Sequence, residues 1–238
     1  MRIFALETST ERLSLALFAD GARRVRDIDA GQQHSDLALP LIRELFAEAN
    51  LSIQDLDAIA YGQGPGSFTG VRIACGVAQG MSYGAGLGMI PVETQMALAE
   101  SCENDRIIVA LDARMGEIYL AAYERDDAQP TGWLPRISPM LTKPDSLPAI
   151  SGNTWFLTGS ALRQRVLAEA LMRQYGGCVA TSDPGNLPKA AAVAIIAARI
   201  LQRSGKDALL HPRDAAPLYL RDRVALTTEE RAAAKAAA

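Results

Sequence analysis

Gly62-Gln63-Gly64-Pro65-Gly66-Ser67-Phe68-Thr69-Gly70-Val71-Arg72 joins an apolar run, Leu56 to Tyr61, to a run of small and apolar residues from Val71 to Tyr83. The first run has the length of a buried strand and the second that of a helix. Glycines on both sides of Pro65 let the backbone turn tightly and leave consecutive N–H groups pointing outward. Ser67 or Thr69 is placed to cap the helix, and such an N-terminus is also a ready anion site. The turn reads in two ways, as a well-capped strand-to-helix corner or as an anion cradle. In both, strand, turn and helix follow one another as in an α/β fold.

Upstream, Arg2–Leu6, Leu13–Phe18 and the more polar Ala22–Asp29 read as strands. Short linkers separate them, so an antiparallel meander is predicted. Leu37, Leu41, Ile42, Leu45, Phe46 and Ala49 then fall at helical spacing. Pro40 is tolerated only near a helix start, which places that start close to Asp36. Downstream come a short strand, Met89–Val92, and a helix, Glu93–Cys102. The order βββαβαβα is that of a ribonuclease-H-like half.

The second half begins again at Arg106. Ala5-Leu6-Glu7, five residues, then Leu13 to Phe18 is matched by Ala110-Leu111-Asp112, five residues, then Ile118 to Tyr123. An acid stands at the same point of each copy, which favours duplication over a chance likeness of two hairpins. Five prolines break the 130–150 region into short strands and loops. Trp155–Leu157 reads as a strand, followed by Thr158-Gly159-Ser160 and a helix from Ala161 to Gln174. A helix over Pro188–Arg203 is apolar on nearly all sides and so expected to be buried. His211 to Arg223 reads as an extended tail. The expected organisation is an N-terminal lobe over residues 1–103 and a C-terminal lobe over 104–225 whose last helix packs back on the first. An Ala-rich tail over 226–238 is expected to be disordered.

Composition bounds the function. Of 238 residues 49% are hydrophobic but only 5% aromatic, and the net charge is −3. No basic stripe of the kind that neutralises a phosphate backbone is evident, so any contact with RNA is expected to be indirect. Cys75, Cys102 and Cys178 are odd in number and lack CxxC spacing, which fits a reducing compartment. No signal peptide or membrane span is read, and the expected location is the cytoplasm.

Glu7 and Asp112, at equivalent strand ends, would face each other across a cleft if the halves pack about a pseudo-two-fold axis. Paired carboxylates there could hold hydrated Mg²⁺ beside nucleotide phosphates; the plainer alternative is two hairpin residues. Only two histidines exist, His34 and His211, with no HExxH or Cys/His cluster. The residue one helical turn after His34 is Ala38, so His34 reads as a capping or surface residue. No Walker lysine follows the glycine turn, and Gly66-Ser67-Phe68 lacks the preceding Gly-x spacing of a serine-hydrolase elbow. The stripe of Leu37, Leu41 and Leu45, and the helix carrying Val71, Ala74, Gly76, Ala78, Gly80 and Met81, serve equally as core or as a dimerisation face.

Five stretches carry a resemblance: Ala5-Leu-Glu-Thr-Ser-Thr10, His34-Ser-Asp36, Gly64-Pro-Gly-Ser-Phe-Thr-Gly-Val-Arg72, Ala110-Leu-Asp-Ala-Arg-Met-Gly-Glu117 and Pro217-Leu-Tyr-Leu-Arg221. Together, and in this order across nearly the whole chain, they resemble the TsaB (YeaZ) family. The resemblance implies two ribonuclease-H-like lobes of the actin/Hsp70-like (ASKHA) type and a non-catalytic role. TsaB-like proteins pair with the catalytic paralogue TsaD through first-lobe helices, and the same surface can form a homodimer. The ATPase TsaE joins that pair and TsaC/Sua5 makes threonylcarbamoyl-AMP. TsaD then transfers the threonylcarbamoyl group to adenosine 37 of ANN-decoding tRNAs. TsaD uses a His-x-x-x-His metal pair; here Ala38 stands at the second site. Glu7 departs from the family's usual Asp, which weakens a nucleotide site, and Thr158-Gly159-Ser160 is a thin remnant of an adenosine-cradling turn.

The expected function is a scaffold subunit that binds TsaD, with His34, Leu37, Leu41, Leu45, Val71, Ala74, Ala78 and Met81 as partner-binding residues. Glu7, Ser67, Thr69, Arg72 and Asp112 are the candidate nucleotide or anion contacts. No metal and no cofactor of its own are expected, with ATP or ADP at the complex interface left open. The alternative is a nucleotide-dependent phosphotransferase or ATPase using Glu7 and Asp112. A glycoprotease-like hydrolase has only the wider family's historical name in its favour.

Overall fold

A computed structural model describes residues 1–221; the expected tail over 226–238 and the end of the second lobe lie outside them. Two five-stranded sheets form the frame. The first contains β1 (Arg2–Glu7), β2 (Arg12–Ala19), β3 (Ala22–Asp29), β4 (Ala58–Gly64) and β5 (Met89–Glu93), in the order β3-β2-β1-β4-β5. The second contains β6 (Arg106–Asp112), β7 (Ile118–Arg125), β8 (Trp133–Thr142), β9 (Trp155–Thr158) and β10 (Val179–Asp183), in the order β10-β9-β6-β7-β8. Read from the opposite edge, the second order is that of the first: a three-strand antiparallel meander, with two further strands parallel to its first strand. Duplicated ribonuclease-H-like topology is thus present in both halves.

Helices cover both faces of each sheet. α1 (His34–Ala49) and α2 (Phe68–Ala85) lie on the outer face of the first sheet, where Phe4, Leu6, Leu13, Leu15, Leu17, Ile59 and Tyr61 point. α4 (Arg165–Tyr175) covers the outer face of the second over Ile108, Ala110, Leu120 and Leu157. Between the sheets lie α3 (Thr94–Glu100) and α5 (Ala190–Ser204), in a single core shared by both lobes. α5 packs on β1 and β2. It can do so closely because Ala5, Ala16, Ala58 and Ala60 face an equally alanine-rich helix.

Glu100, at the end of α3, fastens this layer. Its buried carboxylate accepts hydrogen bonds from Arg199 on α5 at 2.6 and 2.9 Å, Arg125 on β7 at 2.8 Å and the Trp133 indole on β8 at 2.8 Å. Burial pushes its pKa up, but these donors outweigh burial and hold it below the usual carboxylate range.

The described part of the expected extended tail, residues 211–221, forms a strap together with the two residues before it. Leu210 and Met89 exchange two 2.9 Å backbone hydrogen bonds at the edge of β5. Gln79 of α2 donates to the Pro212 and Ala215 carbonyls, and the Leu218 N–H donates to the Gln63 carbonyl at 2.7 Å. Arg221 then reaches the second lobe, where it bonds the Ala113 carbonyl and pairs with Glu117 at 2.7 Å. No helix among the described residues is long and apolar enough to cross a membrane.

Candidate functional site

The glycine turn is closed rather than open. β4 runs on to Gly64, and α2 begins at Phe68 with Ser67 as its N-cap, its Oγ accepting from the Gly70 N–H at 3.4 Å. The Ser67 N–H, expected to point outward, donates to the Ser9 carbonyl at 2.8 Å. The Thr8 hydroxyl donates to the Gly70 carbonyl at 2.8 Å. A Cβ at Gly70 would sit inside the Thr8 carbonyl, so only glycine lets the helix press against this segment. The sequence GPGSFTG thus first serves to dock α2 on the β1–β2 linker.

Glu7 lies under this contact, 1% exposed. Its Oε1 accepts from the Ser9 N–H at 2.6 Å and its Oε2 from the Thr94 hydroxyl at 2.9 Å; Thr94 Oγ1 in turn accepts from the Gly64 N–H at 3.2 Å. Gly62 leaves the space that the carboxyl fills. No cation pairs with Glu7 among the described residues, and burial pushes its pKa up against the hydrogen bonds that favour the charged form. Glu7 therefore knots together β1, β4 and the start of α3.

Asp112 does not oppose it. In the first hairpin Glu7 pairs with Ser14; in the second Asp112 pairs with Ile118, one residue tighter. A one-residue difference in register turns a side chain to the other face. Glu7 thus shares the inner face with Ile3 and Ala5, whereas Asp112 shares the outer face with Ile108 and Ala110. There its Oδ2 accepts from Gln164 at the start of α4 at 2.9 Å, and its Oδ1 from the Arg114 N–H at 2.8 Å. The expected facing pair of acids is corrected accordingly. Ser67 and Thr69 are exposed at the start of α2, and Arg72 stacks 3.6 Å over the Phe68 ring while its Nε bonds the Tyr219 hydroxyl at 2.7 Å. The five candidate anion contacts do not converge.

The helical residues divide differently. Leu45, Val71, Ala74 and Ala78 are buried against their own sheet. They have no surface to offer a partner, and their expected contact role is corrected on that ground. His34 is also buried, its Nε2 3.1 Å from the Arg12 carbonyl, so it anchors the start of α1 to β2. Leu37, Leu41 and Met81 are half-buried at the rim. The outward surface belongs instead to Leu39 on α1, 56% exposed, and to Phe68 and Tyr83 on α2, the latter 73% exposed. Between them Gly76 and Gly80 lie on the exposed side of α2, and a Cβ on either would meet nothing within 4 Å. Periodicity marks a helix's apolar stripe, but in a globular fold that stripe is the inward one. The signal that could have found the outward residues is an apolar side chain off the stripe, such as Leu39 beside Asp36 and Arg43.

Two repeated ribonuclease-H-like lobes around a shared helical layer define an actin/Hsp70-like fold. A solved structure of YeaZ from Pseudomonas aeruginosa matches with a TM-score of 0.79 at 28% identity, covering 92% of this chain and 99% of that one. A second Pseudomonas aeruginosa structure, described as similar to peptidase YEAZ, matches with a TM-score of 0.80 and the same coverage. The tRNA threonylcarbamoyladenosine biosynthesis protein TsaB of Escherichia coli strain K12 is 35% identical over 234 residues, 94% of this chain and 96% of the relative. TsaB of Haemophilus influenzae is 38% identical over 130 residues, 53% of this chain and 55% of the relative. The profile of the family described as "TsaD: tRNA N6-adenosine threonylcarbamoyltransferase" matches residues 28–131. The chain belongs to the TsaB (YeaZ) family.

Proposed function

We propose that this chain acts in tRNA threonylcarbamoyladenosine synthesis as a non-catalytic scaffold. It binds a TsaD-type threonylcarbamoyltransferase through the outward face of α1 and α2 and supports transfer to adenosine 37. TsaE joins the pair and TsaC/Sua5 supplies the activated group, while this chain meets tRNA only through its partner. In the partner's absence the same face forms a homodimer.

The observation that carries the reading is the surface of α2. Glycine in an exposed helix interior costs about 1 kcal/mol relative to alanine, and nothing among the described residues requires it at Gly76 or Gly80. With Tyr83 exposed on the same helix and Leu39 exposed on α1, these positions offer an unobstructed surface on which a second helix can approach closely. Two carboxylates on different sheet faces give the ATPase alternative no shared metal site.

Calorimetric titration of the full chain with a purified TsaD protein tests this, beside Leu39→Asp. Binding by the native chain that the variant loses supports the scaffold. Absence of binding, together with ATP turnover that Glu7→Ala and Asp112→Ala both abolish, would return the enzyme reading.

A further inference from the structure

The hairpin between β6 and β7 is built against backbone preference. Arg114, Met115 and Gly116 lie consecutively in the left-handed region, with φ of 62°, 56° and 72°. Residues with a Cβ rarely adopt it, and such outliers persist only when their surroundings over-determine them. Here they do. Asp112 holds the Arg114 N–H, the Glu117 N–H closes on the Arg114 carbonyl at 3.0 Å, and Arg221 of the strap bonds both the Ala113 carbonyl and the Glu117 carboxylate. What this clamp presents is Met115, 78% exposed, beside an equally exposed Arg114.

The tip is not isolated. Arg221 Nη1 lies 3.3 Å from Met115 Sδ, and two residues before it Tyr219 packs on Phe68 with ring centroids 5.9 Å apart. Arg72 lies over both rings and has no acidic partner among the described residues. Phe68, Arg72, Gly76 and Gly80 follow at four-residue intervals, so they form one line along α2. The surface described above therefore continues, past the N-terminus of α2 and over the strap, onto the second lobe. Methionine, arginine and aromatic residues are those enriched at the centre of protein–protein interfaces.

We propose that the Met115 tip and the Phe68–Arg72–Tyr219 stack extend the partner-binding face onto the second lobe, where they receive an apolar, acid-rimmed surface of the same TsaD-type protein. This rests on the scaffold reading above. The Arg72 guanidinium, without an acidic partner among the described residues, sets the acidic requirement.

The test is calorimetric titration of the full chain with purified TsaD, using Met115→Asp, Met115→Gly, Leu39→Asp and, as control, Val166→Asp on the exposed side of α4. The expected result is at least a tenfold loss of affinity for Met115→Asp and none for Val166→Asp. Met115→Gly relieves the backbone and raises the melting temperature, yet it still weakens binding, a combination that a merely structural tip does not give. Native affinity in both Met115 variants, with binding lost in Leu39→Asp, overturns the extension and leaves the scaffold standing. Failure of the native chain to bind overturns both. A labelled tRNA anticodon stem–loop that binds the native chain directly and is lost with Met115→Asp, while TsaD affinity is unchanged, overturns the choice of a protein partner.

Discussion

Replacing Gly76 and Gly80 of α2 by alanine should make the protein more stable and a worse partner. Both lie inside an eighteen-residue helix, both are on its exposed side, and an added Cβ has open space around it at each. Within one protomer the folded state therefore loses no contact, while the unfolded chain loses the extra freedom of glycine, so the comparison is made at concentrations where the free chain is monomeric. At about 1 kcal/mol each, the double variant gains about 2 kcal/mol. For a chain of this size that raises the melting temperature by roughly 4–8 °C. Urea unfolding, with the slope held equal between variants, reads the first quantity and calorimetric titration with TsaD the second. Two methyl groups added to the line of closest approach should cost at least tenfold in affinity. A double variant no more stable than the native chain would refute the claim that the fold does not need these glycines. A stabilised variant that binds unchanged would refute their placement in the interface.

Gly70→Ala should behave in the opposite sense. Its Cβ meets the Thr8 carbonyl with backbone on both sides, so a loss of about 3 kcal/mol or more is expected by chemical denaturation. Glu100→Ala leaves the partly exposed Arg199 and Arg125 and the Trp133 indole N–H without their shared acceptor and should cost about 2 kcal/mol. Because the Glu100 pKa is depressed on folding, its contribution is present above the unfolded carboxylate pKa and fades as pH falls through the folded value. The native chain's advantage over the variant should therefore shrink in acid, and an advantage independent of pH would count against the ion cluster. Glu7→Gln carries the reverse sign. The Glu7 pKa is raised on folding, so the native chain loses stability as pH rises from the unfolded carboxylate pKa to the folded one. The variant should gain on it across that window in parallel unfolding curves, and a constant difference would refute the buried acid.

Much of the fold follows from local patterning. The first lobe's meander and the second lobe's first hairpin are legible in apolar runs and turns, and the strand–turn–helix at Gly62–Arg72 fixes β4 and α2 to within a few residues. β8 was not legible as one strand, because Pro135 and Pro139 break its pattern. It lies at a sheet edge, where a residue without an N–H is tolerated. β10 was missed because an edge strand of Ala180, Thr181 and Ser182 carries no apolar alternation. The opposed faces of Glu7 and Asp112 were hidden for a subtler reason. Both copies have the same five-residue spacer in sequence, and only the hydrogen-bond register reveals that one hairpin closes a residue later. Nor could periodicity place Leu45, Val71, Ala74 and Ala78 inward, since two candidate faces of a helix look alike until a sheet is beneath one of them.

The return of α5 onto β1 and β2 has a consequence for the order in which the protein is made. The first hairpin is complete by Ala19, but the helix that covers its inner face starts at Ala190. At ribosomal rates this is a delay of roughly 10–35 s, during which that face has no permanent cover. A lobe cut at residue 103 would keep it bare. The face is nevertheless a mild one for a nascent chain to display, because Ala5 and Ala16, with Ala58 and Ala60 once β4 joins the sheet, supply much of it. The close helix approach of the finished protein and the low stickiness of the unfinished one thus depend on the same four methyl groups.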